Sequence, residues 1–455
     1  MTQKGIEFYS TNHEAPDVDF KTAILTGQAP DKGLYMLTEI PKIEREELKQ
    51  FGEMQLHEIG FNITSKIIGD QIPEEKLEEI VKDALNFEVP IDRITEDDYI
   101  CYLDQGPTCS FKDFGARTLA RVMEYFLSIE DRDVIILTAT SGDTGGAVAQ
   151  AFYEMSRIKV VVLYPQHEIS DLQRKQMTTL GKNITAIGIE GKFDDCQRMV
   201  KNAFADPDLE KYNLSSANSI NFGRLLPQTL YYFWSYSKVV SDIDEQVIFS
   251  VPSGNFGNLM GGLIAHHMGL PVKKFIAAVN ENDEFPRFLE TGKYEKVEPS
   301  KKCISNAMNV GHPSNFARLI DLYNGKIDEK GNMHKTPDLE QIKRDIASYS
   351  ITDALTKETI SKFYDNFEKI LEPHGAVGWA ALKKYRRDHP EHKKFTSITF
   401  ETADPAKFPN EIISLTDVTP EMPQSLDKIQ NKDEIPNPVE ITEYSDFKTY
   451  LLDNF

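Results

Sequence analysis

The chain has 455 residues, of which 40% are hydrophobic and 27% charged, with a formal net charge of −21. That length admits two or three domains around a sizeable core, and the balance is that of a globular protein rather than a disordered one. The negative charge argues against nucleic acid or an anionic membrane surface as a partner, since both call for a basic face. It does not argue against a small anionic substrate, because the local field of a site can oppose the net charge. No apolar run nears the ~20 residues that a bilayer span needs. Met1–Glu7 has no apolar core segment, so no secretory signal is expected. Cys101, Cys109, Cys196 and Cys303 are scattered without a CxxC pair, which suits reduced thiols and a cytoplasmic location.

Residues 1–95 read as an N-terminal helical unit. An amphipathic stretch covers Phe20–Leu25, a second runs from Glu44 to about Leu56, and a third starts at Pro73-Glu74-Glu75-Lys76. In the third, Leu77, Ile80, Val81, Ala84 and Leu85 fall at helical spacing. From residue 96 the pattern turns to alternating apolar strands and helices. Val134–Leu137, Lys159–Tyr164, Gln246–Val251, Phe275–Val279 and Phe395–Phe400 read as strands, several of them continuous and β-branched like buried parallel strands. Strand, polar glycine-rich turn, helix, repeated, means an α/β protein with a mostly parallel sheet, whose ligands sit at the carboxyl ends of the strands. The tail from about Leu415 is acidic and proline-dotted but apolar enough to pack as an appendage.

Three turns carry chemistry. In Thr108–Arg117 a lysine, Lys112, stands between two aromatic residues where a turn gives way to a helix. Ser110 is its expected N-cap, with Asp113 as capping-box partner. The helix dipole and aromatic burial both lower an amine's pKa there, which is what a Schiff-base lysine needs; an ordinary surface lysine is the other reading. Ser253-Gly254-Asn255-Phe256-Gly257-Asn258 follows a strand and opens a helix, so its amides form an anion cradle. It is neither a Walker A loop nor a GxGxxG fingerprint, which favours a phosphate not carried by a nucleotide over a merely tight connection. Gly257 and Gly261, four apart, are expected to let this helix press on the sheet. Thr140-Ser141-Gly142-Asp143-Thr144-Gly145 suits a carboxylate or a phosphate, or is a simple capping cluster. Ser215–Asn221 with Arg224 could bind a small anion or be a capped loop. No metal site is expected, since HExxH and CxxC are absent and His266-His267 are adjacent rather than one turn apart, and without GxSxG a serine-hydrolase reading loses its usual support as well.

A candidate amine, a phosphate cradle and a carboxylate-type turn together describe pyridoxal-phosphate chemistry on an amino acid. Thr402, just after a strand, is the candidate partner of the ring nitrogen; a neutral hydroxyl there leaves that nitrogen largely unprotonated, which favours elimination and replacement.

These stretches resemble the threonine synthase family, in its longer fungal and bacterial branch, over nearly the whole chain. The resemblance lies in Tyr9-Ser10-Thr11, Ala29–Tyr35, Ser110-Phe111-Lys112-Asp113, Ala139–Gly145, Pro252–Asn258, Glu372–Gly378 and Thr402–Phe408. It implies a fold-type-II (tryptophan synthase β-like) α/β enzyme with two open, mostly parallel sheets flanked by helices and an N-terminal helical unit. The expected domains are 1–95 (helical), 96–130 with 236–455 (large, cofactor-binding, with the appendage from about 415) and 131–235 (small α/β). Lys112 would carry pyridoxal 5'-phosphate and act as the catalytic base. Gly254, Asn255, Phe256, Gly257 and Asn258 would hold the cofactor's phosphate, and Thr402 its ring nitrogen. Thr140, Ser141, Gly142, Asp143 and Thr144 would bind the substrate, O-phospho-L-homoserine, with Ser216, Asn218 and Arg224 at its phosphate. Two positions depart from the family pattern: Asn12 where arginine is frequent, which puts an N-terminal anion contact in doubt, and Asp404 where histidine is common. The expected activity is threonine synthesis. Alternatives are a phospholyase yielding 2-oxobutyrate, or a non-catalytic protein of the same fold, against which the presence of Lys112 counts. Monomer and homodimer both remain open.

Overall fold

The computed structural model describes residues 4–140 and 142–455. Its large sheet has six strands in the order Ile346–Ser350, Val272–Val279, Val247–Pro252, Ser397–Glu401, Asp98–Tyr102 and Ile91–Arg93. All neighbours are parallel except the edge strand Ile91–Arg93, which runs antiparallel to Asp98–Tyr102. A smaller four-stranded sheet, wholly parallel, has the order Ile184–Ile189, Ile158–Pro165, Val134–Ala139, Leu214–Ser215. Every residue of Val134–Ala139 and Val247–Pro252 is buried, as strands covered by helices on both faces must be.

The first ninety residues are mostly helical, and they also hold a two-stranded antiparallel sheet, Phe8–Ser10 with Tyr35–Leu37. Helix Leu230–Val239 lies over the large sheet rather than the small one. Its Tyr232 ring meets Phe249 at 5.0 Å, Phe400 at 4.9 Å and Phe275 at 6.0 Å between centroids, mostly edge to face. The run Tyr231-Tyr232-Phe233 thus ties the stretch before residue 236 to the cofactor side of the molecule. The tail takes the opposite course from its expected grouping with the large domain. Ile441 bridges to Ile189, and Phe447 and Leu451 of helix Tyr444–Asn454 bury themselves with Ile135, Leu137, Val161 and Ile187 of the small sheet. The reason is plain: one face of that sheet is apolar, and the tail's apolar residues cover it. Among the described residues no helix is long and apolar enough to cross a membrane.

Candidate active site

The chemistry-bearing turns follow the carboxyl ends of strands from both sheets. Strand Val134–Ala139 leads to the 140–145 turn, Val247–Pro252 to the 253–258 loop, and Ser397–Glu401 to Thr402. They meet at a cavity of about 1010 Å³ lined by Lys112, Thr140, Asp143, Thr144, Ser216, Asn218, Arg224, all five residues of 254–258 and Thr402. Gly142 is not on its wall, and Ser141 lies outside the described residues.

Lys112 opens the helix that runs to Glu130, and its side chain is 13% exposed. Its Nζ lies 5.0 Å from the centre of the Phe111 ring and 3.9 Å from Asp143 Oδ2. Burial, helped by the charges of Lys407 and Arg224, brings its pKa down from 10.5 to about 8 against the pull of Asp143. A large fraction of neutral amine at mildly alkaline pH follows. Ser110 is not the N-cap expected of it. Phe111 takes that position, Ser110 Oγ is buried without a partner among the described residues, and Asp113 instead accepts from the Thr108 amide (2.8 Å) and hydroxyl (2.8 Å). The backbone decides this: Ser110 pairs with Ala403 as a short bridge, and the Phe111 amide donates to Thr402 O at 2.9 Å, so the segment before the helix is tied to the carboxyl end of the interior strand Ser397–Glu401.

The 253–258 loop is built to leave its amides open. Asn258 Oδ1 accepts from Ser253 Oγ (2.6 Å) and from the Leu259 amide (3.0 Å), and Asn258 Nδ2 donates to Pro252 O (2.7 Å), so that side chain braces the turn. Phe256, at φ +61°, turns the chain into helix Gly257–His267. Among the described residues the amides of Gly254, Asn255, Phe256, Gly257 and Asn258 meet no acceptor. Gly254 is needed for close approach, since a Cβ there would come within 3.0 Å of Ala307 O and Met308 Cα. Helix packing uses different glycines from those expected: Gly261 faces the Gln228 backbone, and Gly262, not Gly257, meets the sheet through Phe275.

In the 140–145 turn the hydroxyl of Thr140 is occupied by its own loop. It accepts from the Gly145 (2.7 Å) and Gly142 (3.0 Å) amides and donates to Gly142 O (2.9 Å). Asp143 is equally committed, to Lys407 Nζ (3.0 Å) and Gln173 Nε2 (3.1 Å) through Oδ1. An anionic side chain so placed is no ligand for a substrate carboxylate, which leaves Thr144 as the described side chain of this turn open to the cavity. Asn218 Oδ1 accepts from Thr138 Oγ1 at 2.6 Å. Arg224 is 3% exposed; Nη1 donates to Ala217 O at 2.7 Å while Nε has no partner among the described residues.

Behind Thr402 stands a brace that pattern reading missed. Glu372 caps helix Pro373–Asp388, with Oε1 accepting from the Gly375 amide (2.9 Å) and from Thr402 Oγ1 (3.2 Å). Its Oε2 accepts from the His374 amide (2.7 Å) and Nδ1 (2.5 Å), while His374 Nε2 accepts from the Ala307 amide (3.1 Å). Glu372 thereby holds the Thr402 hydroxyl in place at the cavity wall. Glu372 and Lys407 both lie inside stretches that resemble family motifs, which was the available signal; Thr402 and Asp143, which they hold, lie 30 and 264 residues away.

One buried amine and one row of unfilled amides facing the same cavity make a site for a phosphorylated aldehyde cofactor, and this is the arrangement of a pyridoxal-phosphate-dependent enzyme. Residues 99–399 match the family model for pyridoxal-phosphate dependent enzymes. Within that class the chain belongs to the threonine synthase family: residues 7–85 match its N-terminal model and residues 375–450 its C-terminal model. It is 38% identical to the threonine synthase of Buchnera aphidicola subsp. Acyrthosiphon pisum, over 98% of this chain and 100% of that one. It is also 38% identical to that of Escherichia coli K12, over 92% and 94%. The crystal structure of the Escherichia coli enzyme superposes with a TM-score of 0.88 at 34% identity, covering 99% of this chain and 100% of that one. The pyridoxal-phosphate-bound threonine synthase of Brucella melitensis gives 0.90 at 31%, covering 98% and 99%. The cofactor is pyridoxal 5'-phosphate, and the residues present fit it: the open amides of 254–258 match a phosphate, and Lys112 Nζ matches an aldehyde.

Proposed function

We propose that this chain converts O-phospho-L-homoserine and water to L-threonine and inorganic phosphate, with Lys112 as the moving base and the 254–258 amides as the cofactor's phosphate holder. The observation that carries the reading is the single cavity in which a depressed-pKa lysine faces both a phosphate cradle and a second cationic corner at Arg224. When bound, pyridoxal phosphate supplies an electron sink that acidifies the substrate's α- and then β-protons.

Lys112 Nζ, once released, takes the α-proton and returns protons to the carbon chain as the γ-phosphate departs and water adds at the β-carbon. Its lowered pKa suits this two-way traffic near neutral pH. Arg224 Nε, buried and without a partner among the described residues, is the candidate donor to the substrate's phosphate, with Ser216 and Asn218 beside it. The amides of Gly254 to Asn258 hold the cofactor's own phosphate and so keep the two anions apart. Thr402 Oγ1, fixed by Glu372, meets the ring nitrogen. The small α/β unit, whose sheet spans Val134 to Ser215, brings Thr144 toward the substrate carboxylate. A cytoplasmic location is supported by the four cysteines, all buried and free.

The test is to incubate the purified holoenzyme with O-phospho-L-homoserine and quantify carbon product and phosphate. Threonine equal to phosphate is expected. Phosphate with 2-oxobutyrate would make the chain a phospholyase, and neither product would refute the substrate.

A further inference from the structure

We propose that Asp143 and Lys407 form a buried ion pair whose task is to position Lys112 and set the pH at which its nitrogen gives up a proton. Lys407 is 0% and Asp143 2% exposed, and their charged atoms lie 3.0 Å apart. Burying two full charges costs more than such a pair usually returns in stability, so one so completely enclosed beside a reactive amine points to a role in that amine's chemistry. Asp143 Oδ1 is filled by Lys407 and Gln173, while Oδ2 faces Lys112 Nζ at 3.9 Å. Lys407 thus neutralises most of the carboxylate, and what is left orients the Lys112 nitrogen without clamping it as a permanent ammonium. The pair also joins the two sheets, because Asp143 follows a strand of the small one and Lys407 a strand of the large one.

The other charged groups around the three are few. Arg224 and Glu372 face Lys112, His374 faces Asp143, and Asp113 and the Cys109 thiol face Lys407. The Lys112 amine is drawn down by burial, by Lys407 and by Arg224, and pulled up by Asp143. Burial opposes the charge of Asp143, yet Lys407 and Lys112 hold it well below the usual carboxylate range.

The inference rests on Lys112 carrying the cofactor, so the first control is the visible absorbance of the parent holoenzyme; its absence would refute that reading and not this one. With the band present, its pH titration reports the proton on the Lys112 nitrogen. Lys407→Gln is expected to move the midpoint up and Asp143→Asn to move it down, each by about one pH unit or more, with Lys407→Arg close to the parent. A role in folding alone moves neither midpoint, and coincident titrations, or shifts in one direction for both, overturn the proposal. If a single variant does not fold, Asp143→Asn/Lys407→Gln leaves no unpaired buried charge. That double variant is expected to titrate near the parent but to lose at least about tenfold in kcat with KM little changed, as a misplaced base does. Parent-like kcat in it would equally overturn the positioning role.

Discussion

Replacing Glu372 with alanine tests whether the brace behind Thr402 holds the site. The carboxylate is 0% exposed and accepts four hydrogen bonds, from the His374 amide and ring, the Gly375 amide and Thr402 Oγ1. Losing the N-cap of helix Pro373–Asp388 costs about 1 kcal/mol. Losing the bonds to the His374 ring and to Thr402 costs roughly 1.5–3 kcal/mol each where the acceptor is charged. Relief of repulsion with Glu401, whose carboxyl burial and Glu372 push well above its usual range, offsets part of this. These contributions total about 4–7 kcal/mol, and non-additivity among bonds to one carboxylate brings the net loss to about 3–5 kcal/mol. At about 2.1 cal/mol/K per residue, that lowers Tm by about 3–5 °C when the chain unfolds as one unit. Thermal unfolding followed by circular dichroism measures it, and cofactor retention after gel filtration reports on the freed Thr402. A variant within about 1 °C of the parent, still holding its cofactor, would refute the brace.

Lys112→Ala is expected to abolish turnover and the visible band together, since both depend on the Nζ; survival of either in the absorbance and product assays counts against the assignment. Phe447→Ala removes a ring fully buried under the small sheet and is expected to cost about 3–5 kcal/mol, read as a lowered Tm and faster proteolysis of the tail. Asp98 carries a pH dependence. Burial pushes its carboxyl up, but Lys383, Arg386 and Ser397 outweigh that and hold it below 3.8. A depressed carboxyl stabilises fully above its unfolded pKa of about 4 and loses this as pH falls through the folded value. The Tm gap between the parent and Asp98→Asn should therefore narrow between about pH 5 and about pH 2, and a constant gap would refute the pairing.

The strands Val134–Ala139, Ile158–Pro165, Val247–Pro252, Val272–Val279 and Ser397–Glu401 were legible because each contains a run of apolar or β-branched residues, as doubly covered strands do. Asp98–Tyr102 and Ile346–Ser350 were not. The first carries Asp98, which stays charged only through Lys383 and Arg386 far along the chain, and the second is mostly Ala, Ser and Tyr at the sheet's edge. Their strand character comes from neighbours, not from local preference. The tail misleads for a related reason, since position in sequence says nothing about which of two apolar faces a helix will cover.

The site divides along the same line. An anion cradle is local: glycines, a strand before and a helix after, all within six residues, so 253–258 announced its chemistry. The Lys112 turn was half local. Its aromatic flank was readable, but the depression of its amine, led by burial, is helped by Lys407 and Arg224, and its restraint comes from Asp143. The 140–145 turn was read as a ligand site because hydroxyls and a carboxylate look available in a string of letters. Folding spends Thr140 on its own amides and Asp143 on a lysine 264 residues away. Motif reading therefore finds groups that bind through the backbone more surely than groups that bind through side chains. Backbone amides are left open by the turn itself, whereas a polar side chain in a buried site is claimed by whichever partner the tertiary fold brings nearest.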